Sequence, residues 1–175
     1  MAAPSLAFGA ESLSISKILF ADEIVGLGQY TPRSDTRFTL DDICAVYVEV
    51  AGFAMPLTPN TEDSYNVDLA LDVQIRLPKS GRSVAFQPEM ARLTTQIRSK
   101  LSAQMMGFSF TFDGWSPGTY LMEVGLRDIL GGGKTVSRDL TLQLVEPTAA
   151  DIKARQERES RKAIQESQKK SPSAP

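Results

Sequence analysis

The sequence predicts an all-β protein, an antiparallel β-sandwich of about seven strands. The clearest observation is a run in which six large apolar residues occupy every second position, because a helix would scatter such residues around its circumference. A second observation is residues 109–145, whose pattern predicts a meander of strand, turn, strand, turn and strand, with turns at 113–118 and 128–134. The six alternating residues are Val67, Leu69, Leu71, Val73, Ile75 and Leu77.

Length and composition indicate one globular domain with short tails. The chain has 175 residues, 42% of them hydrophobic, which is enough for a single core without disulfides or metal. Residues 1–12 are small and predict a flexible lead-in, and residues 13–146 hold the strand patterns. Residues 147–175 form a charged tail without an apolar stripe, which predicts a partly helical or disordered segment.

The first half of the predicted domain contains an edge strand at 13–18 and a stronger strand at 46–50. Gly26 and Gly28 lie between them and indicate a bulge or a close approach of strands. Further on, the turn at 78–82 joins the alternating strand to a short return strand, 84–86.

Pro88 is expected to end that return strand. In residues 89–101, Met90, Leu93, Ile97 and Leu101 have roughly helical spacing. The sequence therefore predicts a loop here, with one or two helical turns, that crosses between the sheets.

Charge and hydropathy argue against two classes of partner. The net charge is −2, so no basic field attracts nucleic acid or an anionic membrane surface. No segment reaches the roughly 20 apolar residues that span a bilayer, so we expect no membrane insertion. Residues 1–10 carry no Lys or Arg and make a poor signal peptide. We expect a periplasmic or secreted protein if a leader was removed, and otherwise a cytoplasmic one.

The chain contains no histidine and a single cysteine, Cys44. The commonest general base and the commonest metal ligand are therefore absent, and no Cys/His metal site can form. Cys44 lies in the apolar run 43–46, which predicts a buried structural thiol and not a nucleophile. We expect neither an enzyme nor a protein that needs a cofactor.

Two further patterns have structural interpretations. Residues 131–135, Gly-Gly-Gly-Lys-Thr, resemble the end of a phosphate-binding loop, but Asp128 stands where that motif requires its first glycine. A strand pattern follows in place of a helix, so we expect a flexible hairpin loop. Asp68 and Asp72 lie about 13 Å apart along one strand, too far for a paired acid and base. With the other carboxylates they predict a solvated face; the others are Asp41, Asp42, Glu62 and Asp63.

Aromatic residues offer one candidate ligand site. Trp115, Tyr30, Tyr47 and Tyr65 could form a platform for a sugar ring, although single aromatics in the loops of β-sandwiches more often pack locally. Trp115, in the turn 113–118, is the candidate ligand-binding residue.

The segments 115–121, 124–128, 133–135 and 140–142, which read WSPGTYL, VGLRD, GKT and LTL, resemble the ending of many bacterial immunoglobulin-like β-sandwich domains. The run 24–53 is similar to their opening. The resemblance implies an immunoglobulin-like sandwich of the kind found in envelope-associated or secreted bacterial proteins. Within it, Tyr120 follows the Pro-Gly turn and points inward, so its hydroxyl is expected to bond nearby backbone as in a tyrosine corner.

The expected function is that of a non-catalytic interaction or scaffold module of a bacterial envelope-associated protein. It would bind a protein partner through edge strands or loops. The alternative is an accessory carbohydrate- or ligand-binding domain that uses loop aromatics. An enzyme with a carboxylate-only site, such as a glycosidase, is disfavoured because the chain is small and no carboxylate pair converges.

Overall fold

A computed structural model describes residues 12–61, 63–153, 156, 157 and 160 of the chain. In these ranges the chain forms nine strands, two more than expected because β2 and β3 are short strands that the sequence did not signal. Their bounds are β1 Ser14–Gly26, β2 Gln29–Pro32, β3 Arg37–Thr39, β4 Cys44–Ala51, β5 Tyr65–Arg76, β6 Ser83–Ile97, β7 Ala103–Phe110, β8 Gly118–Asp128 and β9 Lys134–Val145.

The strands form two sheets, which confirms the predicted immunoglobulin-like β-sandwich. One sheet has the order β2-β1-β4-β7 and the other the order β3-β9-β8-β5-β6. All neighbouring strands are antiparallel except β3 and β9, which pair in parallel with Phe38 opposite Leu144. Between the sheets, β1 contacts β9 and β6 contacts β7, so these pairs mark the two sides of the sandwich.

The core confirms the alternating pattern of β5. The side chains at Val67, Leu69, Leu71, Val73 and Ile75 are at most 5% exposed. Leu77 is partly buried against them. From the facing sheet, β4 contributes its own alternating set of fully buried residues, Val46, Val48 and Val50.

Two predicted local features are also present. The bulge near Gly26 and Gly28 exists, because the pairing of β1 with β2 shifts register between Ile24 and Gly26, and Gly28 has φ 69° in the turn. The hairpin at 78–82 is closed by a hydrogen bond from the Leu77 N–H to the Arg82 carbonyl, 2.9 Å long.

The prediction for residues 89–101 is wrong, because β6 continues through Pro88 to Ile97. Pro88 does not end the strand, since β6 is the outermost strand of its sheet and Pro88 lies in a β-bulge. A proline lacks the N–H that an interior strand would need, but an edge bulge tolerates it. Glu89 takes φ 50° in this bulge, an unusual conformation for a residue other than glycine.

The three-strand meander is also wrong in its first half. β7 belongs to the four-stranded sheet, whereas β8 and β9 lie in the five-stranded sheet. The turn at 113–118 therefore crosses between the sheets, and only β8 and β9 form a hairpin, with Asp128 opposite Lys134. A period-two pattern gives the face of each strand but not the sheet to which the strand belongs.

The described part of the predicted tail begins as a helix. Residues 149–153, 156, 157 and 160 are helical. Thr148 and Asp151 cap its start reciprocally: the Thr148 N–H donates to the Asp151 carboxylate (2.9 Å) and the Asp151 N–H to the Thr148 hydroxyl (3.2 Å). Residues 154, 155, 158, 159 and 161–175 lie outside the described residues, as does the predicted lead-in apart from residue 12.

Candidate functional site

The edges of the two sheets differ in how well they are protected against pairing with another chain. In the described part of the chain the edge strands are β2, β3, β6 and β7. β2 has four residues and ends in Pro32, and β3 has three residues. β6 carries the bulge at Pro88 and Glu89. Short length, proline and bulges are the devices that keep an edge from recruiting another strand.

β7 has none of these devices. It pairs with β4 over its whole length, from Ala103 opposite Ala51 to Phe110 opposite Cys44, without a register shift. Residues 101–112 contain neither a charged residue nor a proline. No described strand pairs with the other edge of β7, so every second residue there presents an N–H and a carbonyl without a β-sheet partner.

The core is incompletely covered along this same side of the sandwich. The four-stranded sheet ends at β7, whereas the facing sheet continues to β6. The inward side chains of β6 are consequently only half-buried, unlike those of its neighbour β5. We call these residues and their neighbours the β6–β7 seam: Met90, Leu93, Ile97, Leu101 and Phe110, all apolar and all packed against the core.

The outer face of the five-stranded sheet carries a network of ion pairs. Asp72 accepts two hydrogen bonds from Arg127, at 2.6 and 3.1 Å, and Asp68 binds Arg92 at 3.0 Å. Glu89 contacts both arginines, at 3.0 Å from Arg92 and 3.4 Å from Arg127. For Asp68 and Asp72, the predicted solvated face is thus a face of paired charges, and each of the two carboxylates pairs with a different arginine. Glu62, which the same prediction included, lies outside the described residues.

The pKa values of these carboxyls reflect that pairing. Hydrogen bonding by Arg92 holds the pKa of Asp68 below its ordinary value. Partial burial on its own would raise the pKa of Asp72, but the hydrogen bonds from Arg127 and from the Glu89 N–H outweigh it and lower that pKa. Both groups are therefore stable anions that hold arginines, not proton donors near neutral pH.

Next to this network lies a groove of about 300 Å³ that crosses β6, β5, β8 and β9. Its floor includes Gly125, which lacks a side chain between Asp72 of β5 and Ser137 of β9. Phe86 lies at the β6 side and is 60% exposed. The lining is completed by polar side chains and one valine: Gln74, Glu123, Arg127, Thr135 and Val136.

Trp115, the predicted ligand-binding residue, packs within an aromatic cluster. Its ring lies edge-on to Tyr120 and to Phe112, with centroids 5.0 and 5.9 Å away, and tilted against Phe110 at 6.4 Å. It is partly buried against the core. Trp115 therefore packs locally, which is the alternative given above for loop aromatics. Ligand binding by Trp115 stays a prediction.

The predicted partners of Trp115 belong to other clusters. Tyr30 stacks at a tilt on Tyr47, with centroids 4.2 Å apart, and Tyr65 lies under the Lys100 ammonium at 5.5 Å. Tyr47 lies on the face of β4 opposite Val46 and Val48, yet it is fully covered. Its hydroxyl donates to the Glu49 carboxylate (3.0 Å) and accepts the Gly28 N–H (2.9 Å). Burial raises the pKa of Tyr47. No common platform is formed by the four aromatic residues.

The remaining candidates are structural. Cys44 is fully buried as predicted, and burial raises the pKa of its thiol to about 12, so it is no nucleophile. Strand β9 follows the glycine-rich loop, as expected for a hairpin and not for a phosphate site. Among the described residues, no three His, Cys, Asp or Glu side chains gather closely enough to hold a metal ion. In the same ranges, no helix has the length and hydropathy to cross a bilayer.

The solved structures that are similar to this chain share little sequence with it. No protein-family model and no curated protein sequence matches it. The C-terminal domain of Wzt is 12% identical, and the match covers 78% of this chain and 75% of that domain with a TM-score of 0.47. An immunoglobulin-like protein from Pseudomonas aeruginosa is 10% identical over 78% of this chain and 99% of that one, with a TM-score of 0.39.

A third similar structure is the CARDB domain of a Pyrococcus furiosus protein, in complex with di-metal ions. It is 12% identical over 77% of this chain and 92% of that domain, with a TM-score of 0.31. At such identities the likeness concerns the fold alone. The assignment to an immunoglobulin-like sandwich rests on the two described sheets, and the envelope assignment stays a prediction.

Two features of the site were not found in the sequence. The open edge of β7 was missed because the pattern predicted residues 108–112 in the same sheet as β8, and the sequence does not show which edges of a sheet stay unpaired. Phe86 was read only as part of a short return strand. The absence of charge and proline over residues 101–112 was the signal that could have pointed to an unprotected edge.

Proposed function

We propose that this protein is a non-catalytic interaction module that binds an extended segment of a protein partner by strand addition along β7. The observation that carries the proposal is that a regular, uncharged edge, with which no described strand pairs, lies beside an incompletely covered part of the core. Added strands obtain affinity from main-chain hydrogen bonds and specificity from alternate side chains. Both elements of that recognition are present on one side of the sandwich.

The seam defines the chemistry of the partner segment. A strand laid beside β7 would place every second side chain over Leu93, Ile97 and Phe110, which are apolar and half-buried. On the other face it would lie beside exposed Gly107 and Ser109. The expected segment therefore alternates large apolar residues with small or polar ones. The bound segment would be a fifth strand of the smaller sheet, and its apolar side chains would cover the seam and complete the core.

The wider role follows from the sequence-based resemblance. A chain without histidine, with its single cysteine buried and with Asp68 and Asp72 paired to arginines, fits a scaffold or adhesion role better than catalysis. We place this role in a bacterial envelope-associated protein, in the periplasm or outside the cell. Trp115 as a carbohydrate-binding residue is less well supported, since three other rings already contact it.

The test uses proline substitutions at two neighbouring positions, Gln104→Pro and Met105→Pro, in the full chain. Adjacent N–H groups of a strand point to opposite sides, so one proline removes a bond to β4 and the other removes only an outward N–H. We call the variant whose proline removes only an outward N–H the outward variant. It should keep the unfolding midpoint of the wild type but lose binding of a peptide. That peptide is first selected on the wild-type chain from a phage-displayed library. Gln104→Ala and Met105→Ala are the matched controls and should keep binding.

Hydrogen exchange of the complex locates the peptide independently. Alternate amides of β7 should become protected when the peptide binds. Peptide binding that both proline variants retain, or protection confined to other strands, would overturn the proposal. So would a library that yields no binder. If the wild-type chain sediments as a dimer and the outward proline variant as a monomer, the partner is a second copy of this chain.

A further inference from the structure

The groove on the outer face of the five-stranded sheet is independent of β7 and carries a second inference. It combines an exposed aromatic ring, Phe86, with a floor opened by Gly125. Among the described residues, Phe86 is the only aromatic residue that is mostly exposed, so its ring face is open to a ligand. With about 300 Å³, the groove lies at the lower end of the range for small-ligand sites.

The charges around the groove indicate what it would accept. Arg127 is held by Asp72 and Glu89, and Arg76 is paired with Glu123 and bonded to Gln74. Neither cation is free to bind an anion without losing its carboxylate. An anionic ligand would also face Glu123 and Asp139, which stand opposite each other across β8 and β9. A hydrocarbon would have to displace water from this ion-pair network at a large cost in desolvation.

An uncharged polyhydroxylated ligand avoids both costs. Its apolar ring face can lie on Phe86, while its hydroxyls bond the side chains of Gln74, Thr135 and Ser137. We infer that this groove is a binding site for a neutral sugar or short neutral oligosaccharide, with Phe86 as the stacking residue. The site differs from the loop-aromatic site centred on Trp115, and it does not depend on strand addition at β7.

Two substitutions test the site without disturbing the core. Phe86→Ala removes an exposed ring. Gly125→Val fills the floor: a Cβ there meets only ordinary contacts, 3.9 Å from the Asp72 carbonyl oxygen and 4.0 Å from its Cβ, and a β-branched residue suits a strand. Ile43→Ala is the matched control, since Ile43 is an equally exposed apolar residue beside β4 in the other sheet (67% exposed).

The probes are neutral gluco-, manno- and galacto-oligosaccharides, and oligosaccharides of uronic acids form the acidic arm. Each probe is titrated into the full chain, and binding is followed by calorimetry and amide NMR. We expect a neutral probe to bind and to shift the amides of Gly125 and Ser137. Phe86→Ala and Gly125→Val should each weaken that binding about tenfold or more, equivalent to about 1.4 kcal/mol. Ile43→Ala and Trp115→Phe should leave it unchanged.

Several results would overturn the inference. These are the absence of binding by every neutral probe, tighter binding of the acidic arm, and affinity that survives both groove variants. Loss of affinity in Trp115→Phe alone would move the site to the loop aromatics. Thermal unfolding of each variant separates a lost ligand contact from a lost fold, because both groove variants are expected to unfold at the wild-type midpoint.

Discussion

The hydroxyl of Tyr120 donates a hydrogen bond of 2.7 Å to the carbonyl oxygen of Ser116, four residues earlier in the chain. Tyr120 is 6% exposed, and the Trp115 ring lies edge-on against it. The bond fastens the segment that carries the chain from one sheet to the other between β7 and β8. It confirms the tyrosine corner expected from the Pro-Gly turn.

Removing this hydroxyl should destabilise the fold slightly. We expect Tyr120→Phe to lower the free energy of unfolding by about 1 kcal/mol, the usual net contribution of such a bond. Guanidinium unfolding measures the change, with Tyr30→Phe as the control, because the Tyr30 hydroxyl only accepts a hydrogen bond from exposed Lys17. An unchanged stability of Tyr120→Phe would contradict a bonded, buried hydroxyl.

Asp128 should be far more sensitive. Its carboxylate, on a residue 2% exposed, accepts the N–H of Ala54 at 2.7 Å and the N–H of Gly131 at 2.9 Å. Asp128→Ala leaves both donors without a partner, so we expect a loss on the order of 3 kcal/mol. Asp128→Asn keeps the shape and one acceptor, and should lose less.

Urea unfolding of these variants should be compared with Asp139→Ala, which alters an exposed residue of β9. The control should lie within about 0.5 kcal/mol of the wild type. Equal effects of Asp128→Ala and Asp139→Ala would show that the carboxylate does not hold the two segments together.

Acid should weaken the outer face of the five-stranded sheet. The folded-state pKa values of Asp68 and Asp72 are lowered, so their contribution to stability is present above the unfolded carboxyl pKa, about 3.9, and is lost as the pH falls through the lower folded values. We expect the free energy of unfolding to decrease over that window. Asp72→Asn should flatten the decrease, and Glu23→Gln, at an exposed position of β1, should not. Identical pH profiles for wild type and Asp72→Asn would refute the assignment.

The thiol of Cys44 should report on opening of the sandwich. Because it is 0% exposed and its pKa is raised to about 12, we expect almost no reaction with a disulfide reagent at mildly alkaline pH in the folded protein. The same reagent should label it fully in guanidinium. Rapid labelling of the native chain would mean that the core beside β4 is open to solvent.

The sequence predicted strands well wherever one face of the strand is buried and the other is exposed to solvent. The β5 alternation and the hairpin after Leu77 followed directly from period two and turn residues. The strand through Pro88 was missed because a proline is usually read as an end, and only the sheet order reveals that β6 is an edge. Ala91 and Thr95, which continue the alternation with Leu93 and Ile97, lack the bulk that would have marked them as inward.

The candidate sites were harder to predict than the fold. An unpaired edge and a groove are both properties of which strands become neighbours, and that order is set by long-range packing. Phe86 and Gly125 are 39 residues apart in number and meet on one face only because β5 lies between β6 and β8. Trp115 was a candidate ligand-binding residue because of its residue type alone. Residue type does not predict which other rings pack against it in the fold.

The parallel pairing of β3 with β9 has a consequence for synthesis of the chain. Phe38, 1% exposed, lies in β3, and the strand beside it, β9, is made about a hundred residues later. Until β9 has been made, this ring lacks its covering strand. The nascent polypeptide therefore cannot complete the larger sheet before β9 has left the exit tunnel.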